Sequence, residues 1–225
     1  MKITPKLITQ LMLIIIIMTS CAIKKYTISS DFYSSGSELG LLQITNDIGT
    51  RRSGQSAVVL ATTNKNKYDE PLMAVDPRLD PEKKFMRMYL DIFKSKGKKI
   101  VVIEDSFTER QYPEFEKPDR DKDYYKYDLR SLKEKYKVDE LMIVIIDYGL
   151  FQNYSGMIEM GKGGYSHVVS NIINLNDNSL IYKGETWGNG KLKSKWDNPP
   201  DYEFLREAVD AAINQSVELE RTKYL

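Results

Sequence analysis

The chain has 225 residues and a mass of 26.0 kDa, with 41% hydrophobic and 29% charged residues. That composition belongs to a globular protein and excludes collagen-like, disordered and polytopic membrane chains. With 33 basic against 32 acidic side chains it lacks the clustered positive excess of a nucleic-acid binder, and one cysteine with one histidine builds neither an internal disulfide nor a common zinc site.

The amino terminus reads MKITPKLITQLMLIIIIMTSC. Lys2 and Lys6 form a short positive region, Leu11–Met18 is an unbroken apolar run, and the small residues Thr19 and Ser20 precede Cys21. Charged end, apolar centre and small-residue exit are the three parts of a secretory signal, in which lysines hold the cytoplasmic side while the apolar run enters the bilayer. The rival reading, a retained anchor helix, needs about 20 apolar residues. Leu7–Met18 falls short of that, although Lys24 and Lys25 beyond Ile23 would suit such an anchor.

Met18-Thr19-Ser20-Cys21 resembles the lipobox of bacterial lipoproteins. The resemblance covers the first 21 residues. It implies diacylglyceryl transfer to the Cys21 thiol, cleavage between Ser20 and Cys21, and acylation, palmitate included, of the new α-amino group. Ala22 in place of aspartate implies delivery to the outer membrane, facing the periplasm. Two or three acyl chains anchor stably where one binds only marginally. The sequence then divides into a signal peptide (1–20), a lipidated tether (21–55) and a globular domain (56–225).

Residues Ala22–Gln55 are rich in Ser, Gly, Thr and Asn and predict a flexible tether, interrupted at Leu39–Thr45 by a short strand or a turn of helix. The folded part is expected to begin at Ser56–Thr62, a β-branched run with the look of a buried strand. A long loop over Asn64–Asp80 follows. Asp80-Pro81-Glu82 is a helix start, with an N-cap acid, proline at the first position and an acid in the first turn. Phe85, Met88, Tyr89, Ile92 and Phe93 recur on one face, and Gly97 closes the helix.

Lys99–Glu104 predicts a second buried strand, and Asp105–Tyr127 a long polar loop. Leu129, Leu132 and Tyr136 mark a short helix. Leu141–Ile146 is the most apolar strand and continues through Asp147–Ser155. Tyr165–Leu175 and Leu180–Trp187 form a hairpin across Asn176-Asp177-Asn178-Ser179, residues that tolerate left-handed backbone. Asn198-Pro199-Pro200-Asp201 opens a last helix with Phe204, Leu205, Ala208, Ala212 and Ile213 facing inward. The fold class is therefore α/β (α+β): a single mixed sheet with helices packed on it, in the order β-α-β-α-β-β-β-α.

This order, with GKKIVVIE, DELMIVIIDYG and the meander SHVVSNIINLNDNSLIYKGETWG, resembles a group of envelope proteins. They include the amino-terminal domain of the Tol-system propeller protein, the curli-secretion lipoprotein and the lipoprotein activator of a penicillin-binding protein. The resemblance spans Ser56–Glu218 and implies an envelope role, without any functional residue to carry over. The long loops depart from its compact pattern.

Candidate chemistry is sparse. Gly156, Gly161 and Lys162 have P-loop spacing, but Gly163 replaces the magnesium-binding Ser or Thr and a strand follows, so a glycine-rich hairpin is expected. His167 with Asp147 and Ser166 or Ser170 would make a hydrolase, yet adjacent strand residues point to opposite faces, and a histidine on a solvated strand face is the default. Asp119, Asp121 and Asp123 alternate like a calcium loop, but the sixth and twelfth positions are Tyr124 and Arg130, so a solvated loop is expected.

Tyr112, Tyr124, Tyr125 and Tyr127 stand in one polar loop. They form either a partner-binding surface or a satellite core folded over the sheet. The reading is a non-catalytic envelope lipoprotein that binds another envelope component, with no metal, cofactor or nucleic acid. The alternatives are an envelope hydrolase using Asp147 and His167, or a surface-displayed lipoprotein.

Overall fold

A computed structural model describes residues 26–54, 67–156, 158–193 and 195–225. The signal segment with Ser20 and Cys21, and the strand expected at Ser56–Thr62, lie outside the described residues. In chain order the elements are α1 (Ser30–Ser34), β1 (Glu38–Thr45), β2 (Gly49–Ser53), α2 (Asp69–Val75) and α3 (Pro81–Ser95). They continue with β3 (Lys99–Ile103), α4 (Leu132–Tyr136), β4 (Glu140–Ser155), β5 (Ile158–Asn174), β6 (Leu180–Lys191) and α5 (Glu203–Thr222).

The strands make one mixed sheet in the order β3-β1-β4-β5-β6, with β2 pairing β4 as well. β1 lies parallel between β3 and β4, β2 runs parallel to the later half of β4, and β5 and β6 follow as an antiparallel meander. Helices pack on this sheet, so the α/β class and the single mixed sheet are as the pattern predicts.

The tether reading of 21–55 needs correction. Leu39, Leu41 and Leu42 are fully buried, because β1 is an interior strand flanked on both sides and covered on both faces. Its apolar stretch is short and set among Ser, Gly and Asn, which is why composition read it as linker. The fold already includes Tyr26, whose phenol donates to Asp123. The loop expected over Asn64–Asp80 also holds α2, with acids in its first turn and Leu72 and Val75 buried. β3 is an edge strand, with Val101 and Val102 37% and 38% exposed. Phe204 faces out at 37% exposure, while Leu205, Ala208, Ala212 and Ile213 face in.

α3 forms as its sequence dictates. Asp80 Oδ1 accepts from the Lys83 amide at 3.3 Å, Pro81 needs no donor partner, and Phe85, Met88, Tyr89, Ile92 and Phe93 are buried. Each such side chain taken from water contributes roughly 2 kcal/mol before entropy is subtracted. Together with α1, α2 and α5 this face meets Met142, Val144, Ile146, Tyr148 and Leu150 of β4 in the main core. α5 lies so close on the meander that a Cβ at Gly190 would sit 1.7 Å from the Ala208 carbonyl oxygen.

Two buried ionic groups fasten the helices. Glu220 of α5 is fully buried and accepts from Tyr89 Oη (2.9 Å), Ser170 Oγ (2.5 Å), Tyr224 Oη (3.1 Å), Lys223 Nζ (2.9 Å) and Thr186. Burial, with this carboxylate adding to it, raises the phenols of Tyr89 and Tyr224 well above their ordinary value. Lys98 is the second fastener. Its ammonium sits 2.7 Å from Glu140 Oε2 and donates to the Phe32 carbonyl (2.7 Å), Ser37 Oγ (2.8 Å) and Ser35 Oγ (3.0 Å), tying the segment after α1 to the sheet. Removing one partner of a buried pair strands the other charge. Lys98→Met should therefore lower stability by about 3 kcal/mol in urea unfolding, with Lys98→Met/Glu140→Leu recovering most of the loss.

Candidate functional site

Among the described residues, the sheet face opposite the main core is covered at one end only. There Leu42, Ile103, Leu141, Ile143, Ile173 and Leu175 meet Tyr125, Leu129, Leu132 and Val138 in a second core. The covering segment is the polar loop after β3, and what holds it is the β5–β6 turn. Asn178 takes φ 63°, as expected of this hairpin, and its side chain is wholly buried. It accepts from the Leu129 amide at 3.0 Å and donates to the carbonyls of Tyr125 (3.2 Å) and Tyr127 (3.0 Å). One asparagine thus closes a turn and rivets the loop.

The four tyrosines divide accordingly. Tyr124 and Tyr125 are 8% and 7% exposed, so they are buried supports of the loop rather than a free surface. Tyr112 stacks on Phe107 at 5.7 Å and packs against the second core. Of the two readings of this loop, satellite core describes Tyr112 and Tyr125. Yet Tyr124, Tyr125 and Tyr127, with Phe115, also wall a groove of about 640 Å³ whose floor is Ile145, Val169 and Asn171. Its rim carries Arg110, Lys117, Lys126 and Lys183 against Glu109 and Glu114.

The floor is built of rungs fixed by strand register. Ile143, Asn171 and Lys183 form one rung across β4, β5 and β6; Ile145, Val169 and Glu185 the next; Asp147, His167 and Trp187 the third. Asp147 and His167 are thus brought together, Oδ2 to Nδ1 at 3.5 Å. His167 Nε2 lies 2.8 Å from Glu185 Oε1, the ring stacks on Trp187 at 4.0 Å, and Arg51 covers Trp187 at 4.3 Å while reaching His167 Nδ1 at 3.4 Å.

A carboxylate only accepts, so Nε2 is the nitrogen that donates to Glu185, while Nδ1 faces both the Arg51 guanidinium and the Asp147 carboxylate. Glu185 is held below the usual carboxylate range, first by His167 and then by Trp187. His167 is not on a solvated face as expected but 8% exposed, caged by these neighbours. Ser166 and Ser170 point to the opposite, helix-covered face, bonded to Ser216 (2.8 Å) and Glu220 (2.5 Å). Neither reaches His167.

Other sequence candidates resolve simply. The glycine-rich hairpin expected between Met157 and Tyr165 is displaced: Gly161, Gly163 and Gly164 are paired residues of β5, and the chain turns before them, between Ser155 and Ile158, with Gly156 at φ 62°. Asp119 Oδ1 accepts from the Asp121 amide at 2.8 Å, a local turn, and among the described residues no three His, Cys, Asp or Glu side chains group as a metal site. Sequence reasoning missed Arg51, Asn171, Lys183, Glu185 and Trp187. The period of two along β5 and β6 was the available signal, but which loop roofed which face was not.

No family model and no curated protein matches the chain. Solved structures similar to it include hypothetical protein CT253 from Chlamydia trachomatis, 8% identical, covering 83% of this chain and 95% of that one at TM-score 0.40. Lipoprotein GNA1162 from Neisseria meningitidis is 9% identical over 80% and 96%, TM-score 0.33. A PelC dodecamer from Paraburkholderia phytofirmans is 4% identical over 85% and 93%, TM-score 0.26. Likenesses of this size assign no function.

Two measurements check the site. Asn178→Gly keeps the left-handed turn at no strain but deletes three hydrogen bonds, so it should cost about 3 kcal/mol. Limited proteolysis should then cut first within 105–127. Tyr165, next to this cluster, is pushed up to about 12, by burial first and Asp147 second, with Arg51 opposing. The neutral phenol is the folded form, so its stabilisation is complete below the ordinary value of 10.0 and lost as pH rises through about 12. Asp147→Asn should bring this titration down and Arg51→Ala push it up, followed by phenolate absorbance.

Proposed function

We propose that the chain is a bacterial envelope lipoprotein, held at the outer membrane on its periplasmic side by acyl groups on Cys21. There it binds another envelope protein in the groove of the sheet face opposite the main core, without catalysis. The groove carries this reading. A concave site of this size with an aromatic wall and a charged rim suits an adaptable polar partner.

The residues of Met1–Cys21 support the lipid attachment. The fold also shortens the expected reach. Four residues separate Cys21 from Tyr26, so at roughly 3.5 Å per extended residue the first bonded side chain stands within about 17 Å of the anchor. The body then works close to the bilayer surface, and partners come to it there. A binding role also fits His167, whose ring nitrogens are taken by Arg51, Asp147 and Glu185 and whose strand neighbours Ser166 and Ser170 face away.

In-cell photo-cross-linking with benzoylphenylalanine in place of Tyr127, read with the mass of the purified chain, tests this. The expected outcome is loss of residues 1–20, two or three acyl groups on Cys21, and a discrete protein adduct at Tyr127 that survives His167→Ala. Cys21→Ser should keep the leader and leave the membrane adduct unformed. An unacylated native chain removes the lipoprotein reading. An adduct or cellular role lost with His167→Ala favours a hydrolase.

A further inference from the structure

The groove floor holds a polar group that no other described residue engages. Asn171 is 7% exposed and lines the groove, and its side-chain amide has no hydrogen-bond partner among the described residues. Its amide opens into the groove, so its one acceptor and two donors are presented to whatever enters there and not spent within the fold. Its two sheet neighbours on the rung are Ile143, inside the second core, and Lys183, exposed at the rim.

The charges around Asn171 are also unbalanced. Glu114 is taken by Lys126 at 3.3 Å and Glu109 by the Tyr125 phenol. Arg110, Lys117 and Lys183 keep no ion-pair partner among the described residues. Four cations against two carboxylates is too weak a field to hold a polyphosphate, which needs several clustered positive charges. It matches one or two carboxylates. An Asn amide offers one acceptor and two donors in a plane, the complement of a peptide group, and the aromatic wall accepts the apolar faces of alternate side chains.

We infer that this groove takes an extended acidic peptide segment of the partner protein, a backbone amide of which pairs with Asn171 while its carboxylates meet Lys183 and the neighbouring cations. The inference rests on the groove being the binding site proposed above. Asn171 is the positioning group, and Lys183 sets the preference for acid.

Fluorescence anisotropy of the purified full chain with a labelled octapeptide of alternating Glu and Tyr, and with its Gln-for-Glu counterpart, tests it. The acidic peptide should bind saturably and at least about tenfold tighter than the Gln peptide, with the difference shrinking as salt rises. Asn171→Leu should weaken binding about tenfold while the melting temperature holds or rises, since an unpartnered amide is replaced by an isosteric apolar group. Lys183→Glu, at an exposed site that does not burden folding, should abolish the preference for acid.

Equal binding of the two peptides, or undiminished binding by both variants, overturns the inference. If neither peptide binds while the Tyr127 adduct still forms in cells, the acidic-peptide chemistry fails and the groove as partner site stands. If no adduct forms at Tyr127, the groove reading itself fails.

Discussion

Strand β4 runs sixteen residues through the middle of the sheet, and its side chains alternate between two environments. Met142, Val144, Ile146, Tyr148 and Leu150 enter the main core; Leu141 and Ile143 enter the second. Beyond Ile143 the same alternation delivers Ile145 and Asp147 to a stretch of that face that no helix of the described residues covers. A slip of one residue would exchange every one of these placements, so the strength of the main core is what holds the open face in register. The rungs through Asn171 and His167 inherit their positions from that constraint.

The two faces are closed by different physics. Helices α3 and α5 cover theirs with large apolar side chains, and the buried Glu220 and Lys98 add directional bonds that fix how each helix sits. The other face is roofed by a polar segment with little to bury. It stays down because Asn178 supplies three hydrogen bonds and because a few aromatic rings, Tyr125 foremost, can be sunk beside Leu129 and Leu132. A roof held this way leaves a gap along its free side. That gap is the groove, and its aromatic wall and charged rim are the two sides of the same amphipathic loop.

Toward Trp187 the face changes character. Arg51, Trp187 and His167 stack, and Asp147 and Glu185 close the ring edge. The stack lets a solvent-facing part of the sheet carry a histidine that is nearly buried without leaving its nitrogens unpaired. It also joins β2, β4, β5 and β6 where, among the described residues, no helix spans them on this side. In the proposed setting this end and the groove form one continuous surface, presented a short chain length from the bilayer.

Much of the architecture was legible in the residues. The cap at Asp80-Pro81, the 3.6-residue period of α3, the apolar run of β4 and the left-handed residues of the β5–β6 turn are local signals, and local signals survive without tertiary context. The charged, apolar and small-residue segments ending at Cys21 are likewise a property of the chain alone. The misreadings share one cause. β1 is a short apolar stretch in polar surroundings, β3 an apolar stretch at an exposed edge, and burial in both cases is decided by which strands lie beside them, not by their own composition. For the same reason the groove could not be read in advance. Asn171 and Lys183 stand more than forty residues beyond Tyr127 and become its neighbours only when the loop folds back onto the meander, and sequence carries no record of that meeting.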